Sequence, residues 1–303
     1  MIFADERGTQ AEDLFSRPLK NVAVSAEVAS DIRTIGWELS IFLFALLMVG
    51  SAGAQAPASS AGIFVADTGN NRTVRIDDMT GAGWTTLGGP AAGQGINQFN
   101  ALRGVFVDTA GRMYAGDASN NRIVRVNDMT GAGWSTLGGP AAGWRTNQFN
   151  GPHVIFVDRA GRIYVTDNGN NRIARMNDMT GAGWITFGSE GSGTNQFRFT
   201  GVGISVDAAG RIYVADTDNN RIVRVNGMTG AGWTTLGTAG TGVNQFRAPT
   251  GVSVDGTGRI YVTDPGNNRI VRIDDITGAG WTTFGSWGDG KGQFNSPRGI
   301  FVR

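Results

Sequence analysis

Three regularities predict an all-β chain folded as a β-propeller of five blades, each a four-stranded antiparallel sheet. The phrase Gly-Ala-Gly-Trp occurs five times, ending at Trp84, Trp134, Trp184, Trp233 and Trp281. Asp-x-x-Asn-Asn-Arg also occurs five times, beginning at Asp67, Asp117, Asp167, Asp216 and Asp264. Gln-Phe recurs with them, at Phe99, Phe149, Phe197, Phe246 and Phe294. Successive tryptophans stand 50, 50, 49 and 48 residues apart, and a fixed period of this size marks a repeat architecture.

The second copy shows the elements of one unit. Gly104-Val-Phe-Val-Asp108 is the first strand, and Thr109-Ala-Gly111 turns the chain. Arg112-Met-Tyr-Ala-Gly-Asp117 is the second strand and Arg122-Ile-Val-Arg-Val126 the third. After Asp128-Met-Thr-Gly131, Trp134-Ser-Thr-Leu-Gly138 is the fourth. Each run is short, rich in β-branched and aromatic residues, and bounded by Gly, Asn or Asp. No segment after residue 60 carries a helical apolar period long enough to compete. Four such strands in about 50 residues describe a propeller blade.

The ends bear on the blade count. The first copy begins at Gly62 and lacks its innermost strand, while Arg298-Gly-Ile-Phe-Val302 resembles that strand. Pairing of residues 299–302 beside 63–66 is therefore expected to close a five-bladed ring, because an open ring exposes sheet edges. Arg303 falls where other copies carry Asp108, Asp158, Asp207 and Asp255. A truncated gene with a sixth blade is the alternative.

Residues 1–56 differ from the rest, with four basic and seven acidic side chains against 22 and 18 in residues 57–303. The apolar run Ile41-Phe-Leu-Phe-Ala-Leu-Leu-Met-Val49 is too short for a bilayer span, which takes ~20 residues. Its length fits the apolar core of an export signal, and Ala52-Gly-Ala54 and Ala54-Gln-Ala56 have the form of cleavage sites. The expected division is an extension over 1–34, either non-folded or upstream of the true start, a signal segment over 35–56 and the propeller over 57–303. Localisation is accordingly expected to be extracytoplasmic, secreted or periplasmic. An uncleaved membrane anchor, or a helix buried against the domain, is the alternative.

Composition removes several chemistries. With no cysteine there is no disulfide, thiol nucleophile or Cys-based metal site, and the one histidine, His153, cannot make a multi-imidazole site. The 22 basic against 18 acidic residues of 57–303 are too nearly balanced for a nucleic-acid surface. The tandem carboxylates Asp77-Asp78 and Asp274-Asp275 give way to Asn226-Gly227 in the fourth copy, and fall short of the six to eight oxygens of calcium. No cofactor and no metal site are expected.

Residues 251–272 carry the sharpest likeness to a known family. Gly251-Val-Ser-Val-Asp255, Gly258-Arg-Ile-Tyr-Val-Thr-Asp264 and Asn267-Asn-Arg-Ile-Val-Arg272 resemble the NHL repeat, and the likeness covers residues 62–303. The resemblance implies a propeller, usually of six blades, so five is a departure. The family includes protein- and RNA-binding modules, bacterial extracytoplasmic sensor domains and a peptide-processing lyase. That lyase uses several histidines around zinc, which this chain lacks. A related class of lactonases holds metal with Glu, Asn and Asp, whereas Glu190 is the one glutamate after residue 56. The Asp-Met-Thr-Gly-Ala-Gly-Trp insert lies outside the family pattern.

A side chain present in every copy is expected to build the blade. The repeated Asp accepts turn amides, Asn takes the left-handed region and Arg pairs with a carboxylate. The repeated Trp and Phe are expected to pack between blades. Function is then expected where copies disagree. One variable ring opens the innermost strands at Arg103, His153, Thr200, Thr250 and Arg298, where two arginines and a histidine could receive an anion. The other lies in the loops after the fourth strands: Gln94-Gly-Ile96, Trp144-Arg145, Glu190, Val243 and Trp287 to Lys291. The binding residues expected are Arg103, His153, Arg298, Trp144, Arg145 and Trp287. The expected function is a non-enzymatic, exported, monomeric propeller that binds a protein, peptide or glycan. A multivalent lectin, or a lactonase- or lyase-like enzyme, is the alternative.

Overall fold

The computed structural model describes residues 62–199 and 201–302 together with the two-residue strand Leu46–Leu47. The extension over 1–34 and the proposed cleavage sites lie outside the described residues. The fold is all-β, with five four-stranded antiparallel sheets arranged as blades of a propeller ring. Blade 2 shows the common plan: Leu102–Val107, Met113–Asp117, Arg122–Val126 and Ser135–Gly138 pair in sequence order from the inside outwards. Blade 3 repeats it from Pro152–Val157 to Ile185–Phe187, blade 4 from Ile204–Val206 to Thr234–Leu236, and blade 5 from Gly251–Val254 to Thr282–Phe284.

Local chemistry sets the strand ends. The turn between second and third strands is a single 3-10 turn closed by an asparagine in the left-handed region, such as Asn121 at φ 54°. Asparagine tolerates that conformation at small cost, which explains its recurrence at Asn71, Asn171, Asn220 and Asn268. The last cross-strand pair before the turn is Asp opposite Arg, as in Asp117 and Arg122. The turn between first and second strands is held by Asp108, whose Oδ1 accepts from the Ala110 and Arg112 amides and whose Oδ2 accepts from Arg112 Nε at 2.7 Å. In blade 5 burial pushes the equivalent Asp255 carboxyl up, but donors from Thr257 and Arg259 outweigh it and hold it at about 2.

Packing between blades uses the repeated aromatics. Phe99, Phe149, Phe197 and Phe246 are fully buried, each in the linker to the next blade. A tryptophan of that next blade covers each one, with ring centroids 5.3 Å apart for Phe99 and Trp134 and 5.0 Å for Phe149 and Trp184. Burying one such phenylalanine contributes about 1.5–3 kcal/mol. In blades 2 to 5 the repeated aromatics thus build the ring, as their symmetry implies, whereas Trp84 of blade 1, expected to pack between blades, is 57% exposed.

The first blade differs from expectation. The strand beside Ile63–Asp67 is Leu46–Leu47, with Leu46 opposite Phe64 and Leu47 opposite Ile63. Residues 299–302 do not take that place. They lie instead along the inner strand of blade 5, where Arg298 O accepts from the Thr250 and Thr263 hydroxyls and Val302 N donates to Ser253 Oγ. Phe301 packs against the core cluster shared by blades 1 to 3. The C-terminal segment therefore spans the junction of blades 5 and 1 on its inner side, through side-chain bonds and packing rather than a strand ladder.

Candidate binding face

Antiparallel order fixes which loops share an end of the ring. Linkers between blades lead into the inner strands, and the 3-10 turns return the chain at that same end. Arg103 and His153 are the second residues of their inner strands, so they open at the linker end. Both variable sets therefore belong to one face of the propeller, a point the repeat pattern alone leaves open.

The repeated polar residues are consumed in this face's construction. Asp117 Oδ2 accepts from Arg122 Nε at 2.7 Å and from Asn120 Nδ2 at 2.9 Å, while Oδ1 accepts the Asn100 amide at 2.7 Å. Asn120 also donates to Gly93 O, and the Arg122 η nitrogens donate to Gln94 O and Gln98 O. The same bonds recur around Arg172, Arg221 and Arg269. In blades 2 to 5 one Asp–Asn–Arg unit thus clamps the incoming linker to its blade. These side chains offer little to a ligand.

The symmetry-breaking residues fall into two groups. Arg103 stands within electrostatic reach of both His153 and Arg298. Burial and then the Arg298 charge lower the Arg103 guanidinium from its ordinary value. Burial and then Arg103 lower the His153 imidazole from 6.5 to about 4, so it is neutral at physiological pH. The neighbours that perturb these two groups are cations. Of the other ring positions, Thr250 is buried and bonds to Arg298 O, and Thr200 lies outside the described residues.

The second group stands on the linkers. Trp144 and Trp287 are 71% and 72% exposed, and Ile96 and Val243 are equally open. The Arg145 guanidinium lies over the Trp144 ring, 5.8 Å from its centroid. The backbone beneath each tryptophan is held. Trp144 O accepts from Arg172 Nη1, Trp287 bridges to Phe294, and the Gly288 amide donates to Phe294 O at 3.1 Å. No ring contact joins Trp144 to Trp287 among the described residues. Two cations overlooked in the sequence, Arg198 and Arg247, follow the buried linker phenylalanines on this same end, and their backbone amides bond to Asp216 and Asp264. Their place immediately after Gln-Phe in two copies was the available signal.

Among the described residues no group of three His, Asp or Glu side chains is placed to hold a metal ion. The tandem carboxylates serve their turns: Asp78 Oδ1 accepts from both the amide and the hydroxyl of Thr80, and those bonds hold its carboxyl below the ordinary value.

Comparison with known proteins agrees with this architecture. The NHL repeat family model matches residues 149–176, 202–224 and 246–273. Three of the repeats are thus NHL repeats, set in a five-bladed β-propeller. No curated protein sequence matches it. Solved structures of similar fold include a virginiamycin B lyase from Staphylococcus aureus, at 15% identity and a TM-score of 0.54, covering 82% of this chain and 70% of that one. A nidogen/laminin complex contains a chain matched at 18% identity and a TM-score of 0.56, covering 80% and 81%. XC5397 from Xanthomonas campestris, a gluconolactonase, matches at 15% identity and a TM-score of 0.56, covering 80% and 75%. At these identities the likeness is one of fold, which serves both enzymes and binding modules.

Proposed function

We propose that this propeller is a non-enzymatic binding module, exported from the cytoplasm, that captures an acidic peptide or protein segment on its linker face. The observation that carries this is the contrast between the two kinds of residue on that face. The Asp–Asn–Arg units are spent on the ring, while Trp144 and Trp287 stand open on linkers whose backbone is already fixed. Exposed aromatics on held backbone lose little freedom on binding, and tryptophan and arginine are the residue types that most often anchor interfaces. Charge sets the sign of the partner. Beyond the five Asp–Arg pairs, Arg103, Arg145, Arg198, Arg247, Lys291 and Arg298 belong to this end, against Glu190, Asp218 and Asp289. A multivalent lectin is disfavoured because five equal sites would have to be made from the repeated residues, which are already bonded.

A panel of acidic, neutral and basic peptides, titrated against the full chain at two salt concentrations, tests the proposal. Binding of acidic peptides that weakens with salt, and that Trp144→Ala with Trp287→Ala diminishes, is expected. Equal binding of all three classes, or none, refutes it. Export is tested separately, by fractionating the source cell and sequencing the N-terminus of the extracytoplasmic chain, which is expected near Gln55 or Pro57; a cut there removes Leu46–Leu47 and leaves blade 1 with three strands, so a start before Leu46 would refute the cleavage.

A further inference from the structure

Three asparagines of the chain are followed by glycine: Asn150, Asn168 and Asn226. Such a pair can close on itself. The glycine amide nitrogen attacks the side-chain amide carbon of the asparagine, and the new C–N bond forms as ammonia leaves. Water then opens the cyclic imide and leaves a carboxylate where the amide was. Glycine permits the attack because it has no Cβ to crowd the approach. An attacking amide that is already hydrogen-bonded must first give up its acceptor, and on this point the three pairs differ.

The Gly151 amide donates to Asn121 Oδ1 at 3.0 Å, and the Gly169 amide donates to Asn150 O at 2.8 Å. Asn150 is held on its other side too, by its own amide on Asp167 Oδ1 at 2.7 Å. Asn168 is buried in the 3-10 turn Asn168–Asn170. Asn226 is exposed, and the Gly227 amide meets no acceptor among the described residues.

The turn around Asn226 is also the least restrained of its kind. In the other four copies the place of Gly227 is taken by Asp78, Asp128, Asp178 or Asp275. Each of these accepts, through Oδ1, from both the amide and the hydroxyl of the threonine two residues on. Gly227 supplies no such acceptor to Thr229. The backbone bond that closes the turn is the longest of the five, 3.4 Å from Gly230 N to Gly227 O against 3.1–3.2 Å in the others. Gly227 itself stands at φ 154° with nothing within 4 Å of where a Cβ would be, so its peptide has room to turn.

The other copies show what a carboxylate at position 226 would meet. Blades 1 and 5 carry Asp77 and Asp274 there, which accept from Arg75 Nη2 at 2.5 Å and Arg272 Nη2 at 3.5 Å. Arg224 holds the same place before Asn226. Its Nη2 reaches Thr234 Oγ1 at 3.4 Å, its Nε is buried with no acceptor among the described residues, and the carboxylate it acts on is Asp275 of the next blade. We infer that Asn226 is a site of spontaneous deamidation in the folded chain, and that the carboxylate so formed pairs with Arg224. The ring keeps its fold and gains one negative charge with time. This is independent of what the linker face binds.

The full chain, incubated in mildly alkaline buffer with and without denaturant, tests the inference, with conversion at each Asn-Gly pair followed by peptide mapping and mass spectrometry. In the folded chain Asn226 is expected to convert at least about fivefold faster than Asn150 or Asn168, the factor that one hydrogen bond on the attacking amide represents. In denaturant the three rates are expected to converge. Gly227→Asp, which supplies the missing acceptor and crowds the attack, is expected to slow conversion at Asn226 by at least about the same factor. Equal rates at the three sites in the folded chain, or none at Asn226, overturn the inference, as does a lead for Asn226 that persists unchanged in denaturant. Asn226→Asp is expected to melt within about two degrees of the wild type, as an exposed pair should. A larger fall overturns the pairing with Arg224.

Discussion

His153 is the one histidine in the chain, so its titration reports on the channel mouth without overlap. Burial and the Arg103 charge set its folded value at about 4, against 6.5 in the absence of those effects. Between those values the unfolded chain takes up a proton that the folded chain refuses. Stability therefore falls as the pH drops from 6.5 toward 4, by up to ~3 kcal/mol if the whole shift is realised. An NMR titration of the imidazole is expected to give an apparent value near 4, and Arg103→Ala is expected to raise it. An acidic peptide bound beside it is also expected to raise it, since a nearby carboxylate favours the imidazolium. A value near 6.5 in the free protein would show that the cluster is not assembled. Asp117 makes the contrasting case. Its carboxylate is fully buried and answers Arg122, Asn120 and the Asn100 amide at once. Asp117→Ala leaves a buried guanidinium without its counter-charge, and a loss of about 3–5 kcal/mol is expected in denaturant titration. A loss below 1 kcal/mol would mean that the clamp is not what holds the linker.

At the scale of the element, a linker has two jobs carried by different residues. Phe149 and Gln148 belong to the ring, the first buried and the second lending its carbonyl to Arg172. Trp144 and Arg145 project from the same loop. Replacing Trp144 and Trp287 with alanine is therefore expected to leave the melting temperature within a degree or two and to weaken acidic-peptide binding by about 1–2 kcal/mol each. Unfolding of the double variant would show that these side chains serve packing. Strands and turns could be read from the sequence because each is specified locally, by an apolar run closed by Asn-Asn-Arg or Asp-x-x-Gly. The repeated Asp, Asn and Arg roles could be read from symmetry. The shared face of Arg103 and Trp144 could not, since it depends on strand direction around the whole blade. Nor could the junction of blades 5 and 1. Trp84 stands in the same phrase as Trp134, yet it is exposed where Trp134 packs on Phe99.

The ring as a whole depends on how blade 5 meets blade 1. The inner side of that junction is spanned by 298–302, and the contribution of this segment can be counted. Arg298 O accepts from two side-chain hydroxyls, those of Thr250 at 3.0 Å and Thr263 at 2.8 Å, and Val302 N donates to Ser253 Oγ at 3.1 Å. Thr250, Thr263 and Ser253 are all buried, so deleting the segment removes partners from hydroxyls that water reaches poorly unless the junction opens. Each such bond contributes about 1 kcal/mol, and the half-buried Phe301 adds about 1–2 kcal/mol by its contact with the core of blades 1 to 3. The inner strand of blade 5, Gly251–Val254, would also lose its cover on the side that 298–302 occupies. Deletion of 298–303 is thus expected to lower stability by about 3–5 kcal/mol. For a domain of this size that corresponds to a fall in melting temperature of roughly 5–15 °C. The loss is expected to spread beyond blade 5, because Phe301 touches a cluster that three other blades share, and hydrogen exchange should show faster opening in blade 1 as well. An unchanged midpoint, or faster exchange confined to the last strand of the chain, would mean that blades 1 and 5 are held by other contacts and that the segment is an appendage of blade 5.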